Sequence, residues 1–317
     1  MRVVFMGSPD FALPTLRRLI ESEHDVVGVV TQPDRPAGRR RHSRPPPAKQ
    51  VALEHGLPVL QPERVNAPDA LHGVRRLEPD AIVIAAYGQI LRQPLLDIPR
   101  RGLLNVHASL LPAYRGASPV VAALLAGERE TGVTILEVVL ELDAGPIVTQ
   151  RSLPIEPNDT AGTLSAKLAR LGADLLIEVL PAWERGELTP QPQDGAQASY
   201  APTIRREDAV IDWSLPAVDV WRRVRAYNPW PVATTSVEGE PLRILEASLL
   251  EGEPDVPAGT VLPLPEAADA PAGVGFAVRC GRGLLAVVRG QRAGRRALTG
   301  EELLRGFRGL LGKRLGS

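Results

Sequence analysis

The stretch MRVVFMGSPDFALPTLRRLIESEHDVVGVV, residues 1–30, decides the fold. Val3 to Met6 is a short apolar run that stops at Gly7-Ser8-Pro9-Asp10, and from there Phe11, Ala12, Leu16, Leu19 and Ile20 recur with the spacing of one helix face. Asp25 to Val30 follows as a second apolar run of strand length. Strand, turn, helix and buried strand make a βαβ unit, and apolar strands without alternation are what a parallel sheet covered by helices requires.

The reading extends outward from this unit. Ala48 to His55 suits a helix with Pro47 at its start and Gly56 past its end. Ala81 to Ala86 and Leu103 to Val106 read as buried strands, and Pro119 to Ala126 as a helix with Ser118 as N-cap and Gly127 as stop. Thr131 to Val139 and Ile147 to Leu153 are β-rich segments joined by a turn around Asp143-Ala144-Gly145, and a helical pattern runs from Thr163 to Trp183. Gly186 to Thr203 is rich in Pro, Gln, Gly and Ser without periodicity, the character of a linker. Val218 to Ala226 then suits a helix, and Leu242–Leu245, Thr260–Leu262, Gly275–Val278 and Leu284–Val288 suit short strands. The expectation is an α/β protein: a Rossmann-like, mostly parallel sheet with helices on both faces over residues 1–185, a linker over 186–206, and a smaller C-terminal β-barrel, OB-like, over 207–317. The first turn has only one of the three glycines of G-x-G-x-x-G, and Pro9 removes an N–H from it, which argues against a dinucleotide site.

Among 317 residues, 44% are hydrophobic and 23% charged, which excludes disorder throughout. The one cysteine, Cys280, cannot form an internal disulfide, and no Cys/His cluster has metal spacing; together these fit a reducing cytosol and predict no bound metal. No apolar stretch reaches the roughly 18 residues of a membrane span, so a cytoplasmic protein without membrane association is expected. The 37 basic and 37 acidic residues cancel, which by itself argues against a nucleic-acid partner. Shorter windows differ. Residues 35–49 hold six basic side chains and no acid, in a Pro-rich loop that is either solvated surface or a phosphate contact. Residues 207–270 carry 4 basic and 12 acidic residues, and residues 271–317 carry 10 and 2, with Arg289, Arg292, Arg295 and Arg296 clustered as an RNA-backbone contact would require.

The strongest local signal is Asn105-Val106-His107, followed by Ala108-Ser109-Leu110-Leu111-Pro112. Side chains two apart on a strand share a face, so Asn105 and His107 point the same way at the carboxyl end of a parallel strand, where open α/β sheets bind ligands. An Asn amide suits an oxyanion and His suits proton transfer near neutral pH; a lone His is also a common structural residue. Asp143 can orient a neighbouring imidazole and favour its charged form, and it is equally an ordinary turn residue.

Several stretches together resemble the methionyl-tRNA formyltransferase family nearly end to end: Phe5-Met6-Gly7-Ser8-Pro9-Asp10-Phe11-Ala12, Gln32-Pro33-Asp34-Arg35-Pro36-Ala37-Gly38-Arg39, Ala86-Tyr87-Gly88-Gln89-Ile90-Leu91, Asn105 to Pro112, Tyr114-Arg115-Gly116-Ala117-Ser118-Pro119, Ile211-Asp212-Trp213-Ser214 and Arg225-Ala226-Tyr227-Asn228-Pro229-Trp230-Pro231. The Asn-x-His-x-Ser-Leu-Leu-Pro run is common to folate-dependent formyltransferases, while the first loop and the C-terminal motifs point to the tRNA enzymes. The resemblance implies Asn105, His107 and Asp143 as a catalytic trio, and Ser109, Leu110, Leu111 and Pro112 lining the site of the co-substrate 10-formyltetrahydrofolate. It further implies Arg39, Arg40 and Arg41 on the acceptor stem of initiator Met-tRNA, and Arg295 and Arg296 in a C-terminal tRNA-binding domain, all in a monomer. One departure stands out: Glu141 and Pro146 flank the Asp143 turn where the family pattern has glycine and aspartate. Formyl transfer to an amino sugar or to glycinamide ribonucleotide, or a tRNA-binding protein without catalysis, are the alternatives at this point.

Overall fold

The computed structural model describes residues 1–37, 42–265, 270–307 and 309–316. Contacts divide the chain into two compact units, Met1–Pro119 with Glu130–Pro154 and Ser165–Ala201, and Val120–Arg129 with Ile155–Leu164 and Pro202–Ser317.

In chain order the N-terminal part holds β1 (Arg2–Gly7), α1 (Leu13–Ile20), β2 (Asp25–Val30), β3 (Arg35–Ala37), β4 (His42–Arg44), α2 (Pro47–Glu54), β5 (Val59–Leu60), α3 (Pro68–Arg75), β6 (Ala81–Ala85), α4 (Gln93–Leu96), β7 (Leu103–His107) and β8 (Arg115–Gly116). It continues through α5 (Pro119–Ala126), β9 (Glu130–Glu137), β10 (Ile147–Pro154), α6 (Ala161–Arg185) and β11 (Tyr200–Ala201). Seven strands form one sheet in the order β10-β9-β7-β6-β1-β2-β5. The β5-β2-β1-β6-β7 portion is parallel, and β9 and β10 add to it antiparallel. The mostly parallel α/β sheet expected from residues 1–30 is what forms.

Strand alternation divides the core between two faces. Val4 and Met6 of β1 and Ile82 and Ile84 of β6 share one cluster with Leu71 and Val74 of α3 and Leu95 of α4. On another part of the sheet α6 lies so close that a Cβ on Gly172 would come within 2.5 Å of Val106 Cγ1. The stretch anticipated as a linker behaves differently as far as Ala201: β11 pairs with β8 in parallel, and residues up to Ala201 belong to the first unit. Its lack of periodicity reflects irregular structure held by polar contacts. Among the described residues no helix is long and apolar enough to cross a membrane.

The second unit contains α7 (Ala217–Ala226), β12 (Thr234–Val237), β13 (Glu240–Leu250), β14 (Val261–Leu262), β15 (Phe276–Arg279), β16 (Leu284–Arg292), β17 (Ala297–Thr299) and α8 (Gly300–Gly306). All pairings are antiparallel in the order β12-β13-β16-β15-β14, with β17 also on β16, giving a curled half-barrel. Its core gathers Trp213, Val220, Val224, Ile244, Phe276, Val278 and Val287. β13 extends well past the Leu242–Leu245 run legible in the sequence. Register shifts at Ile244/Glu246 and Glu246/Ala247 interrupt its alternation, and a bulge hides the remainder from a period-two reading. Cys280 lies buried, and burial pushes its thiol up to about 12, which makes it an inert core residue.

Asp80, at the entrance to β6, joins three strands. Its carboxylate accepts from Arg2 N at 2.9 Å and from Arg100 Nη2 at 2.7 Å, and its carbonyl accepts from Arg101 N at 2.7 Å. The Arg2 N–H, then Arg100, hold this carboxyl below the ordinary aspartate value of 3.8 against the opposing effect of burial. A depressed folded pKa contributes stability above the unfolded value, and the contribution vanishes as pH falls through the folded one. Asp80→Asn should therefore lower stability by about 1–2 kcal/mol at neutral pH. The difference from wild type should close at pH below 3.8, as read from urea midpoints across that range.

Candidate active site

β7 ends at the carboxyl edge of the sheet, and its register fixes the first two site residues. Ile84 of β6 pairs with Asn105, and Thr134 of β9 pairs with His107. The chain then reverses through a loop built on buried polar contacts: Thr134 Oγ1 donates to Ser109 O at 2.7 Å and accepts from Leu111 N at 3.1 Å, and Ser109 Oγ donates to Ala113 O at 2.6 Å. Gln150 Nε2 donates to Leu111 O at 2.8 Å. Ser109 and Leu111 are thus buried in the loop's own framework, while Leu110 and Pro112 are half-buried. At the end of the loop Tyr114 adopts a φ of 60° and sets its carbonyl 3.0 Å from His107 Nε2. A carbonyl only accepts, so Nε2 carries the proton in this contact.

Asp143 reaches the same place from the turn between β9 and β10. Its Oδ2 accepts from Gly116 N at 2.8 Å and lies 3.7 Å from His107 Nδ1, and its Oδ1 accepts from Asn105 Nδ2 at 3.4 Å. The three residues singled out in the sequence therefore meet around one carboxylate. Asp143 itself has a φ of 48°, in the left-handed region, and a Cβ built on Gly145 would overlap the Glu137 carbonyl oxygen. Close approach of two backbones makes glycine necessary there.

Sequence reasoning assigns no role to two residues that hold this turn from outside it. Gln193 Nε2 donates to the carbonyls of Asp143 and Gly145, at 2.8 and 2.7 Å, and Gln193 Oε1 accepts from Arg115 Nη2 at 2.9 Å. Arg115 was visible only as part of a motif, and Gln193 lay in the aperiodic stretch taken as a linker. Glu141, which on sequence grounds brought an added charge beside the site, is exposed and lies 3.4 Å from Arg115 Nη1. The buried guanidinium compensates that charge.

The basic regions sort themselves by pairing. Arg39, Arg40 and Arg41 lie outside the described residues. Elsewhere in the same window Arg35 pairs with Glu63 at 3.2 Å and Lys49 with Asp34 at 2.8 Å, while Arg44 is exposed. In the second unit Arg292, Arg295, Arg296, Leu298 and Leu303 line an open depression of about 630 Å3. Arg292 pairs with Glu240 at 2.6 Å and stacks over Phe307 at 4.8 Å, and Arg296 pairs with Glu302 at 3.0 Å. Arg295 is exposed and, among the described residues, enters no ion pair. The expected basic surface is thus partly neutralised: Arg279, Arg292 and Lys313 pair with Glu253, Glu240 and Glu238 from the acidic window. Among the described residues no cluster of His, Cys, Asp and Glu is arranged to hold a metal ion.

Comparison with known proteins supplies the class. Residues 1–180 match the family described as formyl transferase, and residues 203–308 match the formyl transferase C-terminal domain, so by family this is a formyl transferase. The methionyl-tRNA formyltransferase of Methylococcus capsulatus is 47% identical over 317 residues, covering 100% of both chains. That of Roseiflexus sp. is 48% identical over 318 residues, covering 100% of this chain and 95% of the relative. Among solved structures, HypX from Aquifex aeolicus in complex with tetrahydrofolic acid shares the fold with a TM-score of 0.63 and 20% identity; the match covers 96% of this chain and 47% of HypX, so this chain spans about half of that one. The chain belongs to the methionyl-tRNA formyltransferase family.

Gly145→Ala tests the tightness of the Asp143 turn. The methyl group must displace the Glu137 carbonyl, and such overpacking should cost about 1–3 kcal/mol in a urea titration of the full-length protein.

Proposed function

We propose that the protein transfers the formyl group of 10-formyltetrahydrofolate to the free α-amino group of methionyl-initiator tRNA, giving the N-formylmethionyl-tRNA of translation initiation, as a cytoplasmic monomer. The observation that carries this reading is identity of 47% across the whole of a methionyl-tRNA formyltransferase, first residue to last. It disfavours an amino sugar or glycinamide ribonucleotide as acceptor, since the likeness includes the C-terminal domain.

The geometry of the site supports the following roles. The amine nitrogen attacks the formyl carbon, and negative charge develops on the formyl oxygen. Asn105, with an amide proton beyond the one turned to Asp143, is the donor assigned to that charge, and His107 joins it by releasing its Nε2–H from the Tyr114 carbonyl. The C–N10 bond then breaks, N10 takes a proton, and the attacking amine loses one. His107 delivers the first, and Asp143, at 3.7 Å from the imidazole, accepts the second directly or through water. Half-buried Leu110 and Pro112 are the members of the 109–112 loop able to contact the folate; Ser109 and Leu111 shape the loop from within.

Release of tetrahydrofolate tests this assignment with charged initiator Met-tRNA, uncharged tRNA and an amino sugar compared as acceptors. Release only with the charged initiator is expected; release without tRNA, or none under any condition, overturns the reading. Asn105→Ala and His107→Ala should each reduce kcat by about a hundredfold or more, and near-normal turnover in His107→Ala refutes the trio. For the loop, replacing Arg39, Arg40 and Arg41 together by alanine should weaken tRNA binding and flatten its dependence on salt. A variant whose isotherm matches wild type at every salt concentration assigns those three residues to solvated surface.

A further inference from the structure

We propose that Gln193, oriented by Arg115, is a positioning residue for the Asp143 carboxylate; the inference rests on the formyl-transfer reading above. The two amide protons of Gln193 reach the carbonyls of Asp143 and Gly145, at 2.8 and 2.7 Å, and so tie down both ends of the turn that presents the carboxylate. Its Oε1 accepts from Arg115 Nε at 3.1 Å and Nη2 at 2.9 Å. A guanidinium only donates and a backbone carbonyl only accepts, so the amide fits in one orientation alone. Arg115 is itself fixed: it is 4% exposed, its Nη1 faces Glu141, and its backbone N donates to Ser199 O at 2.8 Å.

This arrangement reaches the chemistry through Asp143 alone. Aspartate tolerates a φ of 48° better than most residues, yet the extended and right-handed regions stay open to Asp143 unless something holds it. A backbone change there would swing the carboxylate away from Gly116 N and His107 Nδ1, where it now lies at 2.8 and 3.7 Å. Gln193 supplies the hold from the far side of the turn. It carries no proton to the substrate and touches none of the trio's side-chain atoms, so its effect belongs to the rate of the chemical step and leaves binding of either substrate intact.

Gln193→Glu in the full-length protein separates this role from a merely structural one. The carboxylate keeps the shape of the amide and both bonds from Arg115, and it has no proton to give the two carbonyls. We expect kcat to fall about tenfold or more, with KM for 10-formyltetrahydrofolate and for Met-tRNA within about twofold of wild type. The melting temperature should fall by no more than about a few degrees, as the loss of two amide-to-carbonyl bonds implies, and hydrogen exchange should accelerate at residues 143–145 alone. Wild-type kcat in a folded Q193E protein overturns the proposal, as does a loss of kcat that merely follows a loss of melting temperature. Should Q193E not fold, Gln193→Asn, one methylene short of spanning Arg115 and the turn, must show the same split between kcat and KM. Failure of both variants to fold makes Gln193 a residue of the fold and overturns the positioning role. An inactive wild type refutes the formyl-transfer reading instead, and the exchange measurement then decides the placement of the turn by itself.

Discussion

The carboxylate of Asp143 is the point on which the site depends. Only 12% of its side chain is exposed, and a charge so placed is unfavourable unless hydrogen bonds replace the lost water. Each bond to such a charged group contributes about 1.5–3 kcal/mol, so its donors are constrained as firmly as the acid. They come from separate segments: Asn105 from the end of β7, and the Gly116 N–H from β8. β8 in turn is held by β11, and approaches it so closely that a Cβ on Gly116 would stand 2.7 Å from Ala201 O. Moving any of these segments leaves a buried charge with fewer donors.

Magnitudes decide how the turn around Asp143 persists. The left-handed conformation costs an ordinary non-glycine residue roughly 1–2 kcal/mol, and an aspartate less. The two amide-to-carbonyl bonds from Gln193 return about 0.5–1.5 kcal/mol each, so they offset that cost. The Arg115–Glu141 pair adds less, because Glu141 is 71% exposed and water screens it. Arg115 matters more as the group that fixes the Gln193 amide than as one half of an ion pair. Without an acceptor at Gln193 the buried guanidinium would lose two of its bonds, which couples the fate of the turn to that of Arg115.

What could be read from the sequence follows the range of the physics involved. The βαβ start, the parallel strands and the facing pair Asn105 and His107 were legible because apolar runs and strand alternation are local patterns. Asp143 could be named, yet its place beside β7 depends on the pairing of β9 with β7. Gln193 was invisible: it binds backbone carbonyls, which every residue possesses, from a segment with no period to read. Glu141 carried a charge whose partner lies 26 positions away, so the sequence showed the charge without its compensation. In the second unit the half-barrel was legible as short strands, and the bulged length of β13 was not.

Charge counting met the same limit from the other direction. The balance of 37 against 37 concealed basic windows at 35–49 and 271–317, and among the described residues part of each is paired with acid. An antiparallel sheet brings distant segments side by side, so Glu240 in the acidic window meets Arg292 in the basic one, and Glu253 meets Arg279. Asp34 and Glu63 likewise engage Lys49 and Arg35. A phosphate backbone responds to cations free to displace its counterions, and a paired arginine must first give up its carboxylate. The exposed Arg44, Arg289 and Arg295 therefore carry more weight toward an RNA than the window totals imply. Arg292 and Arg296, held by Glu240 and Glu302, shape the depression in which Arg295 is presented.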